Sequence, residues 1–203
     1  MAIVVVGGST KNVGKSALVC AVISALKDFN WTAVKITAHE YEQQNSCSGS
    51  EAGPRVPNVW EETTGGDDTD TARYLTAGAR RALLITRSGP VVPIDEVQSA
   101  LGRDSNIIFE SNRIMDVLQP DLCLALVGGE VTGTKPSFIR LLDKADALVS
   151  VDSAEVEMPR LPAALPRFHL QSLDRLSPEF VSWLRARLDA LKKTDSKGRK
   201  DLA

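Results

Sequence analysis

The residues best placed to do chemistry form the run Gly8-Ser9-Thr10-Lys11-Asn12-Val13-Gly14-Lys15-Ser16, a glycine-rich turn ending in Gly-Lys-Ser. An apolar run, Ala2-Ile3-Val4-Val5-Val6, precedes it, and a helical pattern, Ala17-Leu18-Val19-Cys20-Ala21-Val22-Ile23, follows it. Strand, glycine loop, Gly-Lys-Ser and helix are the parts of a phosphate-binding loop. In such a loop, backbone N–H groups and the positive end of the helix macrodipole hold phosphates. Lys15 would reach the β- and γ-phosphates, and the Ser16 hydroxyl would ligate Mg²⁺. The expected nucleotide contacts run from Gly8 through Ala17, with Lys11 as a second cation on the phosphates. Three more charged residues fall where elements begin or end. Lys35 breaks an apolar pattern at the carboxyl end of a predicted strand, Asp70 opens a predicted helix, and Glu110 ends another apolar run. In open α/β sheets, ligands gather at the carboxyl ends of strands.

The loop is one residue longer than the usual pattern. The first glycine ordinarily lies five residues before the second, which is position 9, and that position is Ser here; Gly8 lies one residue earlier. A loop of this longer kind resembles those of dethiobiotin synthetase and the cobyrinic acid amidases, in the P-loop class that includes signal-recognition GTPases and MinD-like ATPases. Many members carry a lysine five residues before the loop lysine. Thr10 occupies that place here and Lys11 follows it, so no trans-acting role across a dimer is assigned to Lys11. A homodimer is left open.

Two further blocks carry a resemblance. Val34-Lys35-Ile36-Thr37-Ala38-His39 is similar to the Ile-Lys-His-Thr-His pattern of the molybdopterin-guanine-dinucleotide biosynthesis protein B family, with Ile36 in place of one His and His39 near the other. Asp70-Thr71-Ala72-Arg73-Tyr74-Leu75-Thr76-Ala77-Gly78-Ala79 resembles that family's Asp-Ser-x-Arg-x-x-x-Ala-Gly-Ala, with Thr for Ser. Asp70 can cap its helix, sit near a metal, or both. The resemblance to dethiobiotin synthetase, with its Mg²⁺-binding Asp at this helix start, implies the metal. Asp67 and Asp68 are nearby alternatives. In these families the strand corresponding to Asn106–Asn112 ends in Glu-Gly and its Glu serves Mg²⁺. Glu110 matches the acid, while Ser111 replaces the Gly. The metal set implied is Ser16, Asp70 and Glu110 with phosphate oxygens and water. The resemblance also makes Lys35 a phosphate and substrate contact, with His39 near the substrate; Ser111 and Asn112, where the chain departs from the family's Gly, offer side-chain hydrogen bonds to the acceptor.

These resemblances imply a Mg²⁺-dependent nucleotide-binding NTPase using GTP or ATP. It would be similar to the molybdopterin-guanine-dinucleotide family, or alternatively to a small-molecule ligase or kinase of the dethiobiotin synthetase kind. A third reading is a non-catalytic nucleotide-sensing module. The second partner is an unidentified small molecule or protein acceptor.

The elements around these residues alternate from end to end. Predicted strands at 2–6, 31–36, 82–86, 106–112, 121–127, 147–151 and 168–170 are separated by helical patterns at 15–27, 70–79, 93–101, 114–119, 137–144 and 177–191. Such alternation predicts an α/β three-layer sandwich, mainly parallel, with helices on both faces. The polar stretch 39–68, rich in Gly, Pro and Glu, reads as a lid or substrate loop over the nucleotide face. Asp143-Lys144-Ala145-Asp146 looks like a guanine-reading motif but precedes its strand instead of following it, so it reads as helix-end charge. Base recognition is expected near Ser150, Asp152 and Ser153, and Thr132, Thr134 and Lys135 are expected to face the crevice.

The chain has 203 residues, enough for a single domain with a substantial core. Residues 1–191 read as that domain and 192–203 as a charged tail. A net charge of −2 gives no support for a nucleic-acid or anionic-membrane partner. No apolar run approaches the roughly 18 residues of a membrane span, and the chain starts directly on a strand, so a cytoplasmic location is the expectation. Three cysteines, Cys20, Cys47 and Cys123, are too few and too scattered for a disulfide framework or a zinc site.

Overall fold

The computed structural model describes residues 1–38, 59–87, 91–104, 106–128, 135–151 and 165–198. Residues 39–58 of the predicted 39–68 lid, with His39 and Cys47, lie outside the described residues, as do Thr132, Thr134, Asp152 and Ser153.

Eight strands form one sheet. They are β1 (Ala2–Gly8), β2 (Thr32–Ala38), β3 (Val59–Glu62), β4 (Arg81–Arg87), β5 (Asn106–Glu110), β6 (Leu122–Val127), β7 (Ala147–Val151) and β8 (Arg167–Leu170), in the order β3-β4-β2-β5-β1-β6-β7-β8. All neighbours pair in parallel except β3, which runs antiparallel on the edge beside β4. The helices are α1 (Lys15–Ala25), α2 (Asp70–Ala77), α3 (Ile94–Leu101), α4 (Pro136–Leu142) and α5 (Pro178–Gly198). Short 3₁₀ turns occupy Lys27–Phe29 and Arg113–Asp116. The α/β fold class predicted from the alternating pattern is the one observed.

Strand alternation divides the core in two. Val4 and Val6 of β1 face one way, packing with Leu18, Val22, Tyr74, Phe180 and Leu184 from α1, α2 and α5. Val5 faces the other way, with Val97, Phe138 and Leu141 from α3 and α4. Residues i and i+2 share a face of a strand, so a strand covered on both sides must be apolar throughout. β1 and β6 meet that demand, which is why their sequences are unbroken apolar runs.

The helix read at 114–119 is the 3₁₀ turn Arg113–Asp116, β5 ends at Glu110, β2 runs on to Ala38, and three further boundaries differ from the sequence reading. First, Val59–Glu62 forms β3 inside the stretch read as loop. Second, α1 stops at Ala25, and a 3₁₀ turn carries the chain to Asn30, whose φ of 53° reverses it. Third, the α5 backbone continues to Gly198, into the charged stretch read as tail. Ser177 caps α5 as predicted, its Oγ accepting from the Phe180 N–H at 3.3 Å. Asp146 takes the structural role expected of helix-end charge, accepting from the Cys123 N–H at 2.8 Å and from Arg187 at 2.8 Å. No described helix is long and apolar enough to cross a membrane.

Candidate functional site

β1 lies between β5 and β6, so the loop after it opens on the carboxyl edge near the middle of the sheet. Gly14 is the residue before α1 and has φ 102°, a left-handed conformation that L side chains rarely adopt. A Cβ there would also come within 2.4 Å of Leu173. Gly8 answers a different need. A Cβ on it would lie 2.5 Å from Val13 and 2.8 Å from Lys15, so the loop can fold back over β1 only with glycine at that position. Asn112 braces the entry to the loop, its Oδ1 accepting from Gly8 N at 2.8 Å and its Nδ2 donating to Gly8 O at 3.0 Å. Lys15 Nζ donates to Thr10 O across the loop at 3.2 Å. Burial lowers the Lys15 ammonium from its ordinary value, against the opposing pull of Glu110. A desolvated ammonium of this kind gains most from an anion placed beside it.

A cavity of about 880 Å³ opens over this loop. Gly8, Thr10, Lys11, Asn12, Gly14, Lys15, Ser16 and Ala17 line it, as expected of the loop. Ser9 and Val13 do not. Ser9 lies fully buried beneath the loop; its N–H donates to Leu126 O at 3.0 Å, while its Oγ has no hydrogen-bond partner among the described residues.

The sheet register assembles the charged cluster. Val6 lies beside Glu110, and Glu110 beside Lys35, in one row across β1, β5 and β2. In-register neighbours of parallel strands point to the same face, so Glu110 and Lys35 both turn toward α1 and α2. There Ser16, in the first turn of α1, donates its hydroxyl to Glu110 Oε2 at 2.7 Å. Lys35 Nζ pairs with Asp70 Oδ2, lies 3.4 Å from Glu110 Oε1 and 3.5 Å from Ser16 Oγ. Tyr74, one turn along α2 from Asp70, donates its phenol to Glu110 Oε2. Burial, and then the neighbouring Glu110 charge, hold the Tyr74 hydroxyl well above its usual value, so it remains a donor. The sequence reading brought Lys15, Ser16, Lys35, Asp70 and Glu110 into one site, and the structure places them together. It missed Tyr74, although the four-residue step from Asp70 put both on one helix face.

Asp70 differs in detail from its expected capping role. Thr69 is the cap of α2, its Oγ1 accepting from the Ala72 N–H at 3.0 Å, and Asp70 is the first helical residue. Burial pushes the Asp70 carboxyl up, but Lys35, Ser16 and Arg73 outweigh it and hold it below 3.8. A carboxyl depressed in the folded state adds stability that is complete above its unfolded value and is lost as pH falls through its folded value. Asp70→Asn should therefore lose less stability than the parent between neutral pH and the acid limb below pH 3.8, as followed by denaturant melts in that window.

Ser111 and Asn112 line the cavity, but their side chains are engaged by backbone. Ser111 Oγ accepts from the N–H groups of Arg113 and Ile114 at 3.2 and 3.3 Å, capping the turn that follows β5. This gives both residues positioning roles at the cavity wall.

The donor set suits Mg²⁺. The Ser16 hydroxyl and the Asp70 and Glu110 carboxylates already converge on a cation, the Lys35 ammonium. Hydroxyl, carboxylate, phosphate and water oxygens are the hard ligands Mg²⁺ takes. Among the described residues no group of three or more His, Cys, Asp or Glu forms a metal cage, so a metal here would depend on phosphate oxygens.

Among solved structures, the chain is similar to LpxK from Aquifex aeolicus, in its "apo" form in complex with ATP. The identity is 18% and the TM-score 0.48, with 83% of this chain and 53% of that chain covered. The chain thus spans about half the length of that protein. No known family's sequence profile matches the chain, and no curated protein sequence matches it.

Proposed function

We propose that the chain binds a nucleoside triphosphate with Mg²⁺ and catalyses transfer of the γ-phosphoryl group to a small acceptor. The observation that carries this reading is the convergence of Ser16, Asp70 and Glu110 on one cation beside a phosphate loop. Phosphoryl transfer needs little covalent chemistry from a protein; catalysis comes from positioning and charge stabilisation. The loop N–H groups and Lys15 would hold the β- and γ-phosphates. Mg²⁺, when bound, would neutralise charge on those phosphates. Lys35 stands between the two carboxylates and Ser16, where it adds positive charge beside the transferring group. Lys11 lines the same cavity as a further cation. Transfer is favoured over simple hydrolysis because the cavity continues past the loop to Arg87 at the end of β4, leaving room for a second molecule.

The second reading is a GTP-binding adaptor resembling the molybdopterin-guanine-dinucleotide family. The Asp70-to-Ala79 block favours it, because Arg73 of that block lies 3.6 Å from Asp70 at the site. Release of ADP from ATP and of GDP from GTP, with and without a panel of phosphate- and carboxylate-bearing acceptors, separates the two. Acceptor-stimulated turnover is the result expected for transfer. Tight GTP binding with slow, acceptor-independent turnover would favour the adaptor. A cytoplasmic location, independence of nucleic acid and a homodimer belong to the same proposal.

A further inference from the structure

Lys35 is the one charged residue in β2, whose sequence is Thr-Ala-Val-Lys-Ile-Thr-Ala. An ammonium has three N–H donors and accepts nothing. Three oxygens surround this one among the described residues: Asp70 Oδ2, Glu110 Oε1 at 3.4 Å and Ser16 Oγ at 3.5 Å. They come from three elements, α2, β5 and α1, so only the folded chain brings them to one point. The neighbouring cations stand aside. Lys15 donates to Thr10 O, and Arg73 approaches the second Asp70 oxygen, Oδ1, at 3.6 Å.

These are the three residues whose oxygens suit Mg²⁺. An ammonium and a divalent cation, being like charges, cannot share one set of three oxygens. Two carboxylates drawn to one point repel unless a cation stands between them, and Lys35 meets that need with a single charge. It also has room to leave. Its side chain is 22% exposed and lines two cavities, the large one over the loop and a smaller one of about 440 Å³ beside Asp67 and Asp68. A flexible four-carbon stem lets the ammonium move while the β2 backbone stays in register. Departure costs Lys35 its ion pairs with two carboxylates, one of which, Glu110, is only 5% exposed. A bare divalent cation gives the ammonium no new partner, and Mg²⁺ itself dehydrates reluctantly. Phosphate oxygens over the loop would give it one, in charge-assisted hydrogen bonds.

We infer that Lys35 stands in for the divalent cation, so that the Ser16–Asp70–Glu110 site takes a metal only together with a triphosphate that draws Lys35 away. The triphosphate half of this rests on the nucleotide reading; the exclusion of a bare cation rests on the three contacts alone. Metal and triphosphate are then linked through one side chain, each raising the affinity for the other. Lys35 thereby decides which form of the metal the site accepts, in addition to the charge it supplies beside the phosphates.

The test uses Mn²⁺ alone, which takes the same hard oxygen ligands. It is titrated into the full chain, with free Mn²⁺ read by electron paramagnetic resonance. Lys35→Met and Lys35→Gln are each expected to bind one Mn²⁺ at least about tenfold more tightly than the unaltered chain. Adding Glu110→Gln to Lys35→Met should abolish the gain. Circular dichroism reads the fold, and where one Lys35 variant fails to fold the other is read. An unaltered chain that binds one Mn²⁺ as tightly as the Lys35 variants would overturn the inference. So would the absence of any gain in those variants, a gain that survives Glu110→Gln, or two Lys35 variants that stay unfolded in millimolar Mn²⁺. A Lys35 that merely ties α2 to the sheet predicts a lowered Tm with Mn²⁺ affinity unchanged, which is one of these contrary results. No nucleotide enters the titration, so failure of ATP and GTP to bind the unaltered chain removes the triphosphate half and leaves the Lys35 result to itself.

Discussion

Lys15→Ala should weaken nucleotide binding about 100-fold while leaving the fold intact. The Lys15 ammonium is partly desolvated, sits in the phosphate loop and, among the described residues, donates to one neutral acceptor, Thr10 O. Losing that carbonyl contact costs the free protein little, because a neutral hydrogen bond contributes about 1 kcal/mol. In the complex the same ammonium would meet the β- and γ-phosphates. Truncating one member of a buried charged pair costs about 2–5 kcal/mol, and about 3 kcal/mol corresponds to roughly 100-fold in Kd. Calorimetry with ATP and GTP reads the affinity, and circular dichroism reads the fold. Undiminished affinity would mean that the phosphates bind elsewhere.

Glu110→Ala should lower stability and remove Mg²⁺ dependence together. Glu110 is 5% exposed and accepts from Ser16 and Tyr74 while facing Lys35. Its loss leaves the Tyr74 hydroxyl, itself buried, without its acceptor, at about 1–3 kcal/mol. It also removes half of the charge facing Lys35, so a total near 3 kcal/mol is expected, as for other truncated buried pairs. In a chain of this size that is a fall in Tm of about 6–12 °C. Tyr74→Phe removes the stranded donor, so the double variant should be more stable than the sum of the two single changes predicts, by about 1 kcal/mol or more. Nucleotide affinity in the Glu110→Ala protein should respond little to Mg²⁺ between absence and millimolar excess. An unchanged Tm with a wild-type Mg²⁺ titration would remove Glu110 from both roles.

The central strands and the loop were legible because strands buried on both faces must be apolar without interruption, as in Val4-Val5-Val6 and Leu122–Val127. Lys35 and Glu110 stood out for the same reason, each being a charge at the end of such a run. β3 was not legible. Val59, Trp60 and Glu61 are exposed and Glu62 half-buried, so the strand carries no burial alternation, and what makes it a strand is its antiparallel pairing with β4. Thr69 was passed over as the cap of α2 because the neighbouring Asp70 is an equally good capping type, and only geometry shows which side chain reaches Ala72. Ser111 and Asn112 were read as substrate contacts from their place after Glu110. Their use as a cap for Arg113 and a brace for Gly8 depends on approaches across 104 residues of chain in the second case, which no local pattern encodes. Arg87 and Arg113 were not singled out in the sequence; the strand order is what brings both to one cavity wall.

In the proposed site, Ser16, Asp70 and Glu110 serve a cation that a triphosphate completes. The most direct test is calorimetric titration of the full chain with ATP and with GTP, each in Mg²⁺ and in excess chelator. The expected result is binding of at least one triphosphate at micromolar or tighter affinity in Mg²⁺, weakened about tenfold or more when the metal is withdrawn. Binding of neither triphosphate, or binding that is equally tight with and without Mg²⁺, would contradict it.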